Sequence, residues 1–472
     1  MITSLKTWER LYRVAKFPFR CRSYSKDTKN PFTRTWGVLS KEVPEFLGIN
    51  KKEVVFPEHA DIVIIGGGFI GTAVAYWLKV KAGEGLAVVV LENDPMFKSA
   101  QKNLSLGTIT QHFALPENIL LAQYGAEFLR NFSQHLNKKV DLQYCPHGHL
   151  VLASEQYAER LEHNIQIQRE YGVKNELLTV EDIKMRFPYL NTEDISIGCI
   201  GRECEGTFNA WMLLKSLIKK SVDLGAIYIN AEVIGFELEL QRDLLVEGVK
   251  PGTFKRIKRV LYKTPDNEEY GIKFAGCVLA AGDKCGEIAR LAKIGTGEGL
   301  LGIPLPIEGR EEKVYSLEDN GTMSSLSTPM ISDTSGLWLQ KNGLQDKLLC
   351  GHIPLLTADV KESDGDEYYE KIVKPALINR VPNFKDTKIR SVVCEKYDYN
   401  TFDDSGVVGP HPYHNNLYIA AGFGRLGCVH AAGIGRAIAE LIIDSNFMTI
   451  DLTRLTFDRI LTGNPMIEFN VY

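Results

Sequence analysis

Asp61-Ile-Val-Ile-Ile-Gly66-Gly67-Gly68-Phe69-Ile70-Gly71 places a run of apolar, strand-forming residues directly before a G-x-G-x-x-G turn. The spacing predicts a helix from Thr72 to about Lys81 and a second strand from Ala87 to Leu91, closed by Glu92. Each glycine has its own task. Gly66 permits the tight turn, Gly68 lets the backbone approach a pyrophosphate without a Cβ in the way, and Gly71 lets helix and strand pack closely. The helix N-terminus offers unpaired N–H groups and a partial positive charge to phosphates. Glu92 stands where an acidic side chain accepts hydrogen bonds from a ribose, which disfavours a 2′-phosphorylated nucleotide. This unit binds a dinucleotide, and alone it does not separate NAD from FAD.

Two later stretches repeat the logic. Phe274 to Gly282 reads as a strand closing on small residues, as a second close backbone approach requires. Leu417 to Ala421 leads into the turn Gly422-Phe423-Gly424-Arg425-Leu426-Gly427, with a helix expected to begin near Ala432 and to carry Gly433 and Gly435. Three glycine-controlled contacts spread over the whole chain suit a long, deeply buried FAD. Helices are expected over 117–135, 155–171, 209–224 and 368–379, the last ended by Pro382. Hairpins are expected within the charged segment 241–273.

The 472 residues suffice for a sizeable core, and 44% hydrophobic against 24% charged residues is the balance of a globular protein. No uninterrupted apolar run reaches the roughly 18 to 20 residues of a membrane helix. Nine scattered cysteines without a C-x-x-C pair suit reduced thiols inside a cell. Residues 1–26 carry Lys6, Arg10, Arg13, Lys16, Arg20, Arg22 and Lys26 against one acid, Glu9, and Leu5, Trp8, Leu11, Tyr12 and Ala15 give them an apolar helical face. This composition resembles a mitochondrial presequence, a disordered basic tail being the alternative. The rest is then more acidic than the −4 of the whole chain, which argues against nucleic-acid binding. Residues 27–58, with Pro31, Pro44 and Pro57, read as a linker, 59–450 as the interleaved body and 451–472 as a C-terminal tail. His147 and His149 flank Gly148 in an expected turn, and no metal is expected; His411, between two prolines, is expected to be structural.

The three glycine elements, in their order, resemble the D-amino-acid oxidase superfamily, which includes glycine oxidase and the sarcosine and dimethylglycine dehydrogenases. The likeness covers about 60 to 450. It implies a mixed α/β fold, with an FAD-binding Rossmann-like domain interleaved with a mostly antiparallel β substrate domain that roofs the isoalloxazine. Longer strings, Leu115 to Ile119, Phe187 to Glu193, Asp333 to Gly336, Tyr397 to Asp403, Gly406 to Pro412 and Gly433 to Arg436, resemble a narrower group of mitochondrial flavoproteins within it. That resemblance implies residence on the matrix side of the inner membrane, peripheral rather than spanning, with complex I subunits or assembly intermediates as partners.

By position, the resemblance implies FAD contacts at Gly66, Gly68, Phe69, Ile70, Gly71, Glu92, Asn93, Ser105, Leu106, Gly107, Val233, Ala281, Gly282, Gly422, Phe423, Arg425, Leu426 and Gly427. It also implies hydride transfer from the α-carbon of an amine to the flavin, which does the electronic work. The chain departs from the family at Gln101, Lys284 and Arg425-Leu426, where Ser, Trp and Gly-His are usual. Arg425 either stabilises reduced flavin or grips a carboxylate, or it points to solvent or a surface acid. Thr108 to Asn118 contains no Arg or Lys for a substrate carboxylate, offering Gln111 and His112, and Val429 and His430 stand where sarcosine-oxidising relatives have a cation. An α-amino acid substrate is therefore disfavoured, and the resemblance implies first an FAD-binding protein required for assembly or stability of respiratory complex I, with a flavin-dependent dehydrogenase or oxidase of a small amine or amino-acid-like substrate as the alternative. Tyr397 and Tyr399 share one strand face, as substrate wall or as core. By the same resemblance, Cys394 is displaced from the position of flavin-linking cysteines, so the FAD is expected to be non-covalent. The catalytic candidates are Tyr397, Tyr399, Arg425 and His112.

Overall fold

The computed structural model describes residues 56–95, 107–136, 140–201, 203–245, 248–319, 321–323, 328–341, 347–353 and 365–470. The presequence-like segment, nearly all of the linker, and Gln101, Ser105 and Leu106 lie outside them.

Ile62–Ile65 forms the expected buried strand, and its neighbours make a six-stranded sheet in the order Val407–Pro410, Leu417–Ala421, Gly276–Leu279, Ile62–Ile65, Val88–Glu92, Ile227–Asn230. All pair in parallel except Val407–Pro410, which runs antiparallel at one edge. A parallel sheet must be covered on both faces, and the alternation of side chains assigns them. Ile62, Ile64, Val88 and Val90 pack into a core with the helices Phe69–Ala82, Ala210–Asp223 and Gly427–Asp444. Val63, Ile65, Val89 and Leu91 face Ile257, Val260, Tyr262 and Ile272 of a three-stranded antiparallel sheet built from Glu232–Leu240, Lys255–Lys263 and Glu269–Lys273.

The chain leaves this nucleotide-type sheet twice. Both excursions build one eight-stranded sheet, ordered Ile389–Asn400, Ile307–Glu318, Lys347–His352, Leu337–Lys341, Met330–Asp333, His149–Ala153, Ile197–Gly201, Asn175–Thr179. Its ladders are antiparallel except for Met330–Asp333 beside His149–Ala153, where the two excursions meet. One face carries Leu150, Leu152, Ile331, Leu337, Leu339, Leu348 and Tyr315 into a core with Tyr369, Val373 and Leu377. The other face carries Glu312, Trp338, Gln340, Ser332 and His149 and turns toward the glycine elements. The expected interleaving of the two domains is what the topology shows.

Three expectations change in detail. The helix expected to begin near Ala432 begins at Gly427 and runs to Asp444, with Gly433 and Gly435 on it as expected. That helix is apolar and long enough to cross a membrane by composition, yet most of it is buried in the core. Residues 451–470 are no loose tail. Arg459 is ion-paired with Asp403 at 2.7 Å and both are buried, while Met466 donates its N–H to the same carboxylate at 2.9 Å. Phe56 already stacks on Tyr270 with ring centroids 4.5 Å apart, so the body includes the end of the segment read as linker.

Candidate functional site

The first glycine turn is held by contacts no larger residue allows. Gly66 has φ +98°, and a Cβ there would lie 2.3 Å from the carbonyl oxygen of Ala280. A Cβ on Gly71 would lie 2.0 Å from the carbonyl oxygen of Gly66, so helix and turn are in contact at backbone distance. A Cβ on Gly68 would meet nothing within 4 Å. No side chain caps the helix Phe69–Ala82, and its first turn contains no acid. The turn thus presents a backbone N–H cradle facing open space, which fits a pyrophosphate. Glu92 stands beside it, taking the N–H of Gly67 at 2.7 Å and of Asp94 at 2.8 Å. Burial pushes its carboxyl pKa up.

Two of the other expected segments adjoin this turn: a Cβ on Gly66 would lie 2.7 Å from Ala281 Cα, and one on Gly427 would lie 3.9 Å from Ile70 Cδ1. Ala280 donates to Ile65 O at 2.9 Å, which places Ala281 and Gly282 at the end of the neighbouring strand. Ala231, two residues before Val233, donates to Glu92 O at 2.9 Å. Gly107 opens the strand Gly107–Ile109. The third turn has left-handed backbone at Gly422 and Gly424 and no side-chain cap on the helix that starts at Gly427. Its N–H groups are partly committed: Asp398 accepts from Gly422 and, at 3.0 Å, from Gly424. Burial pushes the Asp398 pKa up to about 6. Sequence reading missed Asp398, although its place between two tyrosines puts it on their opposite strand face.

Tyr397 and Tyr399 do share a face, and Glu395 shares it with them. In the ladder with Ile307–Glu318, Glu395 stands directly across from Glu312 and Tyr397 across from Arg310. Arg425 comes from the glycine turn, forms an ion pair with Glu312 and sits over the Tyr397 ring, 4.6 Å from its centroid. The acid that Arg425 meets is buried, unlike the surface acid of the second reading. Arg310 covers the Tyr399 ring at 3.4 Å. Trp338 Nε1 donates to Glu312 at 3.2 Å, and Thr108 donates to Gln340 at 2.7 Å, tying the Gly107 strand to the same sheet face. Burial, and then the charge of Glu312, push Glu395 up to about 7. Cys394 is on the opposite strand face beside Glu311, away from this wall. Glu312 and Glu395 were not legible as a pair, because a ladder between distant segments joins them.

His112 lies deeper than a substrate-facing residue, at 2% exposure. It is 3.3 Å from Glu205 and donates toward the carbonyl of His149 at 3.2 Å. His430 is fully buried between Phe113 and Phe423, and burial pushes its pKa down to about 3. Neither it nor the buried Val429 supplies the cation that a carboxylate needs. His411 accepts from the N–H groups of Tyr413 and His414 at 3.2 Å, the structural role expected of it.

The family model described as FAD dependent oxidoreductase matches residues 61–441. The chain belongs to this family. It is 40% identical over 420 residues to an FAD-dependent oxidoreductase domain-containing protein 1 homolog of Drosophila melanogaster, covering 88% of this chain and 81% of that protein. It is 36% identical over 466 residues to FAD-dependent oxidoreductase domain-containing protein 1 of Mus musculus, covering 94% and 95%. Among solved structures, L-proline dehydrogenase from P. horikoshii superposes with a TM-score of 0.71 at 22% identity, over 87% of this chain and all of the other, a likeness of fold. FAD is the cofactor, and the cradle at Gly66, Gly68 and Gly71, with Glu92 beside it, has the open backbone and donor set for its ADP half. In this family the bound flavin supplies a hydride acceptor.

Proposed function

We propose that this FAD-dependent oxidoreductase oxidises a small amine that carries no carboxylate beside the nitrogen. The observation that carries the reading is the wall beside the third glycine turn, where Glu395 stands across from Glu312, which accepts from Trp338 Nε1, and Tyr397 follows two residues on along the same strand face. Acids and aromatic faces suit a cationic amine. The family's usual need for a cationic carboxylate grip is met by neither Val429 nor the neutral His430. An amine must lose its ammonium proton before hydride can leave the adjacent carbon. Glu395, with its pKa near 7, is matched to accept that proton at a carboxylate oxygen. Tyr397 and Arg425 then act as positioning groups.

The test is anaerobic mixing of the purified flavoprotein with a panel of primary, secondary and tertiary amines and, in parallel, with glycine, sarcosine and D-amino acids. Bleaching of the visible flavin band by amines alone is the expected result, with Glu395→Gln slowing it by roughly 10²-fold. Bleaching by amino acids and not by amines would overturn the substrate class.

A second reading is favoured by the same missing grip. In it the flavin holds a scaffold, peripheral to the matrix face of the mitochondrial inner membrane, that contacts complex I subunits or assembly intermediates. The basic segment 1–26 supports import. Co-migration of the flavoprotein with complex I intermediates, together with a flavin that no amine bleaches, is the result that would favour it over turnover.

A further inference from the structure

We propose that His112, His149 and Glu205 form a buried divalent-metal site, with zinc as the fitting ion, that fastens the strand carrying Gly107 to the eight-stranded sheet. The three side chains come from separate segments: the loop after Gly107–Ile109, the first residue of His149–Ala153, and the turn between Ile197–Gly201 and Gly206–Phe208. Their exposures are 2%, 0% and 0%, and one donor atom from each lies within 4.8 Å of the others. Two imidazoles and a carboxylate are a donor set of borderline hardness, which suits zinc or ferrous iron and not calcium or magnesium.

The arrangement has the marks of a built site. His112 Nε2 and Glu205 Oε2 are 3.3 Å apart. That is the ligand-to-ligand edge of a tetrahedron with metal bonds of about 2.0–2.1 Å. Glu205 Oε1 accepts the Gln111 N–H at 3.1 Å, and the buried Oε2 is the atom that faces His112 Nε2. Gly201 makes the space, since a Cβ there would lie 2.3 Å from the Glu205 carboxyl carbon. The His149 ring is oriented by Thr110 Oγ1 at Nδ1, 2.8 Å away, and Ser332 Oγ at Nε2, 2.9 Å away. On metal binding one hydroxyl yields its nitrogen and the other stays to fix the ring, the usual outer-shell arrangement. The buried Cys199 thiol, which hydrogen-bonds His112, borders the group as a further donor. A divalent charge at this point offsets a carboxylate buried away from water.

The experiment is metal analysis by inductively coupled plasma mass spectrometry on the full-length flavoprotein after gel filtration in metal-free buffer, with flavin absorbance giving the protein's own reference. About one zinc per flavin is expected, falling at least ~10-fold in Glu205→Gln and in His149→Gln. If those variants do not fold, the wild-type protein decides. Stripping with 1,10-phenanthroline should lower its melting temperature, and zinc chloride alone should restore both the temperature and one bound equivalent. Flavin-replete protein that carries no stoichiometric metal and does not respond to added zinc overturns the proposal. It would make the group a hydrogen-bonded pair of His112 and Glu205.

Discussion

Glu395 stands opposite Glu312 in the ladder, and its pKa of about 7 against an ordinary 4.5 makes it a stability probe. The folded state binds this proton more tightly than the unfolded chain does. The stabilisation is therefore complete below pH 4.5 and is lost as the pH rises through 7. Glu395→Gln should match the wild-type protein near pH 5 and exceed it by about 1–2 kcal/mol near pH 8, after allowance for partial solvent access. Urea melts of both proteins across that range measure it; a constant gap would deny the shift. Arg459 makes the opposite case. It is buried, grips Asp403 through Nε at 2.7 Å and Nη2 at 3.1 Å, and donates to Ser405 O. Arg459→Met leaves Asp403 charged and buried, at a cost of about 3–5 kcal/mol. The midpoint of chemical unfolding should fall accordingly, and less so once Asp403→Asn is added.

At the level of elements, the helix Gly427–Asp444 decides how closely the nucleotide-type half can pack. A Cβ on Gly435 would lie 2.5 Å from the carbonyl carbon of Ala73 in the neighbouring helix, and one on Gly433 would lie 2.7 Å from Leu121. Backbone cannot yield as a flexible side chain can, so Gly435→Ala should separate the helices and cost about 1–3 kcal/mol. Gly433→Ala, facing a leucine methyl, should cost less. Thermal melts and flavin content of the two variants rank them, and equal effects would show that the helix contact is slack. The same helix shows why sequence reading stops where it does. Gly422 to Gly427 is legible as a turn because left-handed positions need glycine, whereas the reason for glycine at Gly433 and Gly435 within the expected helix emerges only when Leu121 and Ala73 are placed beside them. Helices such as Ala210–Asp223 were legible through their 3.6-residue period, since that pattern is local. The pairing of Glu312 with Glu395, and the meeting of His112, His149 and Glu205, depend on long-range ladders that no local pattern records.

Across the whole molecule, the six-stranded and eight-stranded sheets are each assembled from segments on both sides of the other in the chain, so neither half can close before the other has contributed strands. The dinucleotide turn at 66–71 and the outline of an interleaved fold were legible because glycine chemistry and strand burial are imposed locally. The Glu312–Trp338–Arg425 wall was not, because it exists only once the second excursion has folded against the third glycine turn. FAD bound between the turns at 66–71, 281–282 and 422–427 would contact segments from the beginning, middle and end of the body, so its binding energy adds to the stability of a single cooperative unit. With FAD in hundredfold excess over its dissociation constant, the gain is about 2.7 kcal/mol. Removing FAD should therefore lower the melting temperature of the entire protein in one transition, by roughly 1–3 °C at this chain length. Gly71→Ala, whose Cβ would lie 2.0 Å from Gly66 O, should leave the protein close to the FAD-free midpoint even with FAD added. Differential scanning calorimetry of holo, stripped and Gly71→Ala protein makes the comparison. Two separate transitions, with only the first responding to FAD, would show instead that the halves unfold independently and that the cofactor holds the nucleotide-type half alone.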